Sequence, residues 1–198
     1  MTARTATGRR LRLASQQPAK PVVANGVLGM LLFVISEAML FGGLISAFTI
    51  IRSGALVWPP PDQPRLPVAS TAFNTAALLA SGVLLYVAGR SFRRDPVRAR
   101  RPLLGAVLLG AFFVVFQGVE WVALLRDGLT LTSSSLGSFF YLIVGLHALH
   151  AVAALGVLIW AWWRLQRGWR AESPLQTAQV FWYFVVGVWP ILYGVVYL

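Results

Sequence analysis

Cysteine is absent from the 198-residue sequence, and histidine occurs only as His147 and His150. The lack of cysteine excludes disulfides, thiolate-bound zinc, iron–sulfur clusters and thiol nucleophiles. Two histidines are too few to build a multi-histidine metal centre from this chain alone. Charge is scarce as well: 12% of the residues are charged and 58% are apolar, whereas a soluble domain is about a quarter charged. The composition therefore excludes a soluble globular domain.

Five long apolar runs account for this composition. They cover residues 25–51, 69–89, 102–125, 137–163 and 175–198. Each run has the length of about 20 residues that a helix needs to cross a hydrocarbon layer of roughly 30 Å. Helices satisfy their own backbone hydrogen bonds in lipid, so we predict an all-α bundle of five transmembrane helices over residues 25–198. A hydroxyl within TSSS (132–135) is expected to cap the fourth helix.

The basic residues are distributed unevenly among the segments between these runs. The sequence holds 17 Lys and Arg against 6 Asp and Glu, a formal charge of +11. Of the 17, 14 lie in the N-terminal tail and in the second and fourth loops, and 3 lie in the first and third loops. Because cytoplasmic loops carry an excess of Lys and Arg, we predict a cytoplasmic N-terminus and a periplasmic C-terminus. Topology thus explains the charge without a nucleic-acid partner.

The N-terminal tail, residues 1–24, is predicted to be a disordered basic segment on the cytoplasmic face. Its first 20 residues are rich in Arg and hydroxyl residues and contain no acid. An organelle transit peptide has the same composition. Attraction of a basic tail to anionic lipid explains these residues without processing, and we favour that interpretation.

Two carboxylates, Glu37 and Glu120, lie within the apolar runs. An ionisable side chain there costs on the order of 2.5 to 3.5 kcal/mol, so each needs a compensating role. Glu37 falls near the bilayer centre and is expected to be protonated or hydrogen-bonded to a neighbouring helix. It is either a proton-exchanging or lipid-ordering group, or a buried hydrogen bond between helices.

Two pairs of polar residues have helical spacing. Gln117 and Glu120 are three residues apart, as are His147 and His150, so each pair shares one helix face. The histidines lie at about the depth of Glu37. They could hold a metal or haem, but haem iron usually takes axial ligands from opposite sides. Hydrogen-bonded structural histidines are the favoured interpretation, and no metal site is predicted.

Small residues follow one line of the first span. Ala38, Gly42 and Ser46 recur every four positions, with Gly43 beside them. Such a pattern is typical of close helix packing in membranes.

Tryptophans mark the ends of the spans. Trp58 follows the first span, and Trp163 precedes Arg164 at the end of the fourth. Interfacial aromatic belts explain this placement. The same residues could also bind a phospholipid head group, with the cation on the phosphate and the rings along the acyl chains.

Six ordered segments together resemble subunit III of the haem-copper cytochrome c oxidases, from about residue 25 to the C-terminus. They are SEAMLFGGL (36–44), WPPP (58–61), FQGVEW (116–121), GLTLTS (128–133), YLIVGLHALH (141–150) and FWYFV (181–185). The resemblance corresponds to the short, five-span bacterial form of the subunit. By position, Glu37 matches the family's intramembrane glutamate, His147 and His150 its paired histidines, and Arg164 a head-group arginine.

The resemblance implies a multi-pass, non-catalytic subunit of a respiratory-chain oxidase in a bacterial inner membrane. It implies that this chain binds no cofactor except structural phospholipid, and that haem and copper lie in the partner core subunit I. The subunit would stabilise the core, order lipid, assist proton uptake and protect the active site. The complex would oxidise cytochrome c or quinol, reduce oxygen and translocate protons.

The sequence departs from the family pattern in the last span. Where the family has Trp-His-Phe-Val-Asp, this chain has WYFVV (182–186), with Tyr183 a possible replacement donor. This departure leaves open a related accessory subunit of a nitric oxide reductase. Two other hypotheses are a small haem protein using His147 and His150 and a proton-coupled transporter. The lack of internal repeats and of broken mid-span helices argues against the transporter.

Overall fold

A computed structural model describes residues 24–61, 63–168 and 172–198. This part of the chain contains five α-helices and a π-helical turn. They are α1 (Asn25–Gly54), α2 (Val68–Phe92), α3 (Pro96–Arg126), α4 (Ser135–Gln166) and α5 (Glu172–Leu192), followed by the turn Tyr193–Tyr197. All five helices are long and apolar enough to cross a membrane. The predicted all-α membrane bundle is therefore confirmed, while the predicted tail, apart from Ala24, lies outside the described residues.

Side-chain caps define where two of the helices begin. The Asp95 carboxylate accepts a hydrogen bond from the Val97 amide at 2.9 Å, and Pro96 occupies the first turn of α3. Helix α3 thus begins six residues before the predicted apolar run. The run was predicted to begin only after the last of the charged residues that precede it. At α4 the Ser134 hydroxyl accepts from the Gly137 amide at 3.1 Å, which confirms the predicted hydroxyl cap.

Four of the helices form a closed ring. Helix α2 packs against α3, α3 against α4, α4 against α5, and α5 back against α2. Helix α1 lies outside this ring, mainly against α5 and less against α4, and only its Phe41 and Phe48 are buried. At its end, Arg52 donates hydrogen bonds to the carbonyls of Val195 and Leu198 at 2.9 and 3.2 Å. Helix α1 is therefore the peripheral element of the bundle.

Two tryptophans of α5 fasten it to α2. Trp182 and Trp189 are fully buried, and their indole N–H groups donate to the Ser81 and Thr75 hydroxyls at 3.0 and 2.8 Å. A buried indole combines a large apolar area with one donor that needs an acceptor. These bonds therefore set the register of α5 on α2.

We expect Ser81→Ala to lower the free energy of unfolding by about 1–3 kcal/mol, because it leaves the buried Trp182 N–H without its acceptor. Thermal unfolding in mild detergent measures the effect. The matched control is Ser36→Ala, since Ser36 is exposed and its hydroxyl bonds the Phe33 carbonyl of its own helix at 2.7 Å. Equal unfolding temperatures for the two variants would contradict the assignment.

The two residues that depart from the family pattern face different surroundings. Tyr183 is 38% exposed on the outside of α5, whereas Val186 is buried. A Cβ added to Gly82 of α2 would lie 3.1 Å from Val186 Cγ1, so the valine fits there because the facing residue is glycine. The suggestion that the Tyr183 hydroxyl replaces the missing polar groups inside the bundle is wrong.

The small-residue stripe of α1 does not contact this chain's other helices closely. Ala38, Gly42, Gly43 and Ser46 are all exposed, and a Cβ added at either glycine would meet nothing within 4 Å. Helix α1 turns the face carrying Phe41 toward the bundle instead. The predicted close helix packing is therefore not found within the described part of the chain; packing of the stripe against a helix of another chain stays a prediction.

Candidate functional site

The first polar cluster joins α1 to α4 near the middle of both helices. His150 Nε2 lies 3.1 Å from Glu37 Oε2, and the two side chains are 10% and 17% exposed. The other ring nitrogen, Nδ1, lies 2.8 Å from the Leu146 carbonyl oxygen. We call Glu37 and His150 the midplane pair. Their positions in the sequence predict a similar depth for the two residues but not their contact.

The contacts of the midplane pair define which ring nitrogen faces the carboxyl group. The Leu146 carbonyl can only accept, so His150 Nδ1 carries a hydrogen. Nε2, the other ring nitrogen, faces the Glu37 carboxyl group. Each group thus has a polar neighbour in an apolar layer, where an ionisable side chain without one is costly.

Aromatic rings surround the imidazole of this pair. The ring centroids of Phe41, Phe33, Phe184 and Phe181 lie 5.7, 6.1, 6.2 and 6.3 Å from that of His150. These rings come from α1 and α5, so both helices that flank α4 here exclude water from the pair. In such surroundings the contact between Glu37 and His150 is stronger than it would be in water.

His147 lies one turn from His150 but has different neighbours. It is 1% exposed, and its ring is tilted by 31° against Trp189 with 5.0 Å between centroids. Among the described residues, neither of its ring nitrogens has a hydrogen-bond partner. The two histidines thus share a helix face, as predicted, but among the described residues the predicted hydrogen bonding is found for His150 and not for His147.

The second cluster centres on Glu120 of α3, which is 8% exposed. Its carboxylate accepts hydrogen bonds from Ser70, from Thr71 at 2.9 Å and from Gln117 at 3.2 Å. The Gln117 amide also donates to the Tyr197 hydroxyl at 3.2 Å. We call these five residues the Glu120 cluster. The predicted shared face of Gln117 and Glu120 is confirmed by their hydrogen bond.

The Glu120 cluster connects three parts of the bundle by hydrogen bonds. Ser70 and Thr71 belong to the first turn of α2, where the helix dipole favours a negative charge. The cluster therefore holds the beginning of α2, the last third of α3 and the π-helical turn together.

The partners of Glu120 that come from α2 were not predicted from the sequence. One available signal is that Ser70, Thr71, Asn74 and Thr75 stand at helical spacing within an otherwise apolar span. Asn74 extends the polar contacts by donating to the Phe113 carbonyl at 3.2 Å.

The predicted lipid-binding residues lie at opposite ends of the bundle. Trp58 is partly buried against Phe48, with 5.6 Å between ring centroids. At the other end Arg167 lies over the Trp163 ring, 3.5 Å from its centroid, and Arg164 lies 5.2 Å from that of Trp160. Each arginine thus stacks on the tryptophan four residues before it. The predicted binding of phospholipid by Trp58, Trp163 and Arg164 stays a prediction.

The described part of the chain holds no group of three or more His, Cys, Asp or Glu side chains that could bind a metal ion. The two carboxyl groups in the middle of the spans have polar neighbours, Glu37 beside His150 and Glu120 among hydroxyl and amide groups. Fold and clusters together define a multi-pass membrane protein whose buried polar groups hold helices to one another.

The family model of cytochrome c oxidase subunit III matches residues 14–198. The chain is 34% identical to a probable cytochrome c oxidase subunit 3 of Mycobacterium leprae, covering 86% of each chain. It is 29% identical to the cytochrome c oxidase subunit 3 of Thermostichus vulcanus, over 87% of this chain and 86% of that one. It is 31% identical to that of Rattus norvegicus, over 89% and 71%. The chain belongs to the cytochrome c oxidase subunit III family.

Membership of this family confirms the resemblance found in the sequence motifs. In this family the metal centres lie in other subunits. Membership also implies that other oxidase subunits are the partners of the chain.

Proposed function

We propose that the chain is a non-catalytic supporting subunit of a haem-copper terminal oxidase in a bacterial inner membrane. It binds beside core subunit I, which holds the haem and copper. The family match that runs through all five helices carries this proposal. The exposed small-residue stripe of α1 supports it, because it offers a second subunit a surface on which helices approach closely. The names of the relatives favour cytochrome c over quinol as the electron donor of the complex.

Co-purification of the full chain under mild detergent tests this function. We expect a core subunit containing haem and copper to accompany the chain, together with other oxidase subunits. Recovery of a nitric oxide reductase core would establish that alternative instead. Recovery of the chain with neither core would contradict the proposal.

Within the complex, the midplane pair is proposed to assist proton uptake by the core. A carboxyl group and an imidazole can each take up and release a proton, and here the two lie 3.1 Å apart within the membrane, so together they would pass a proton between neighbouring groups. Glu37 reaches the outside of the bundle, with 17% of its side chain exposed. That exposure supports contact with a core subunit or a lipid.

Phospholipid is the proposed ligand at both ends of the bundle. Trp163, Arg164 and Arg167 combine cations with aromatic rings at one end, where a phosphate would meet the guanidinium groups. At the other end, Trp58 lines a cavity together with the cationic side chains of Arg52 and Arg65. Bound lipid would hold the subunit in register with the core, which is the lipid-ordering role that the family resemblance implies.

We expect Glu37→Gln to leave the haem content of the complex unchanged but to accelerate the loss of activity during turnover several-fold. A glutamine amide keeps the size of the side chain but cannot take up or release a proton. Repeated activity assays on one enzyme sample measure the inactivation rate. Ser36→Ala on the same helix is the control and should inactivate as the unmodified complex does. Unchanged kinetics in Glu37→Gln would remove any role of this carboxylate in turnover.

A further inference from the structure

A crevice of about 170 Å³ lies between α3 and α4. Its lining includes the partly exposed side chains of Val114 and Trp121 from α3 and of Ala148 from α4. The buried rings of Phe113 and Trp189 line it as well, and its accessible surface is apolar. Apolar cavities of roughly 150 Å³ stay dry and take up apolar molecules. The crevice therefore suits an apolar occupant.

A groove on the exposed side of α3 continues from this crevice. Gly118 lines both, and a Cβ added to it would meet nothing within 4 Å, so no side chain closes the junction at this residue. Beyond Gly118 the groove is lined by Val119, Val122 and Ala123 and ends at Arg126, all of them exposed. Crevice and groove thus form one apolar path that begins at a cation.

The length of this path fits one leaflet of a bilayer. Arg126 lies eight residues after Gly118 and twelve after Val114. At about 1.5 Å per residue, these spacings correspond to about 12 and 18 Å along the helix. One leaflet contributes about 15 Å to a hydrocarbon layer of roughly 30 Å. An acyl chain whose head group lies at Arg126 therefore reaches the crevice with its end.

A phospholipid fits both ends of this path, whereas a helix of another subunit fits only one. A phosphate accepts charge-assisted hydrogen bonds from a guanidinium group, and none of the ion pairs among the described residues involves Arg126. A helix with its side chains is about 10–12 Å wide, so it could lie on the groove but would leave the crevice empty. An empty crevice deprives its lining of van der Waals contacts, which an acyl chain supplies.

We propose that α3 carries a binding site for one phospholipid, with the phosphate at Arg126 and the end of one acyl chain in the crevice beside Trp121 and Ala148. The site is separate from the phospholipid contacts proposed at Trp58 and Trp163, which line neither the crevice nor the groove. The inference deepens the proposed lipid-ordering role and rests on it. Co-purification identifies the core subunit, whereas the test below observes lipid on this chain, so either can fail without the other.

Photo-cross-linking of the intact complex tests this site. The complex is washed in detergent and reconstituted in nanodiscs that contain phosphatidylglycerol with a diazirine at the end of one acyl chain. Light releases dinitrogen from the diazirine, and the carbene that remains inserts into a bond of the nearest group. Leu149 is the matched position, since it lies at the depth of Ala148 but is 65% exposed. We expect several-fold more cross-linking of Trp121 and Ala148 than of Leu149, measured by peptide mass spectrometry.

Two variants with matched controls test the two parts of the path. Gly118→Leu fills the junction and Arg126→Gln removes the cation, and each should lower cross-linking in the crevice several-fold. Gly156→Leu adds the same side chain at another open glycine, outside crevice and groove. Arg65→Gln removes another exposed arginine from the same end of the bundle. Both controls should leave the yield unchanged.

Three results would overturn the proposal. The first is cross-linking that follows exposure alone and is strongest at Leu149. The second is an unchanged yield in Gly118→Leu or in Arg126→Gln. The third is the absence of lipid cross-links at Trp121 and Ala148, which would indicate that another subunit covers the path. Should Gly118→Leu fail to fold, Arg126→Gln and the comparison of Ala148 with Leu149 decide.

Discussion

Replacing Glu120 with leucine is expected to lower the free energy of unfolding by about 3–5 kcal/mol, because the change removes a carboxylate that accepts hydrogen bonds from two helices. Hydrogen bonds to a charged group contribute about 1.5–3 kcal/mol each. The total stays below their simple sum, since the Ser70 and Thr71 hydroxyls can still donate to the Pro67 carbonyl. Unfolding in mild detergent, followed by circular dichroism, measures the loss.

Two further variants, one at this position and one at the preceding residue, sharpen the result. Glu120→Gln keeps one acceptor oxygen and should lose less than half as much stability as the leucine variant. Val119→Leu, on the exposed side of the same turn, should leave stability unchanged. A leucine variant as stable as the unmodified chain would show that the Glu120 cluster does not hold α2 to α3.

The second large effect is expected for Gly110→Val, at about 3 kcal/mol of lost stability. A Cβ at this position would lie 2.6 Å from the Trp182 ring and 3.3 Å from Leu155 Cδ1. Trp182 is fully buried and bonded to Ser81, so it cannot move aside without breaking that bond. Overpacking of a well-packed core typically costs about 1–3 kcal/mol, and the rigid indole puts this site at the upper end.

The control for this substitution is Gly156→Val on α4, where an added Cβ would meet nothing within 4 Å. Its unfolding temperature should match that of the unmodified chain. Equal unfolding temperatures for the two valine variants would contradict the close contact between α3 and α5 at Gly110. Any loss of stability would then come from the helix propensity of valine alone.

The number and approximate limits of the helices could be predicted from the sequence because they depend on local properties. A long apolar run has one stable backbone form in lipid. Caps are local too, as with the Ser134 hydroxyl that begins α4. The same dependence on local properties explains why the beginning of α3 was predicted six residues too late. The helix already includes Arg98 and Arg100, because Asp95 caps it before the apolar run begins.

The contacts between helices could not be predicted in the same way. Most faces of these spans are equally apolar, so hydropathy does not indicate which face meets which neighbour. The contact of Glu37 with His150 and the outward direction of Gly42 both depend on how α1 rests on α5 and α4. Ser70 and Thr71 gain their importance only because the end of α3 brings Glu120 beside them. Such pairings follow from the arrangement of the whole bundle.

The peripheral position of α1 has a consequence for synthesis of the chain in the membrane. Glu37 leaves the ribosome 113 residues before its partner His150. At roughly 5–20 residues per second, that interval is on the order of 6 to 23 s. During this time α1 must stay inserted with an unpartnered carboxyl group, at an insertion cost of about 2.5–3.5 kcal/mol if the group is charged. The high hydropathy of the rest of α1 offsets that cost until α4 arrives.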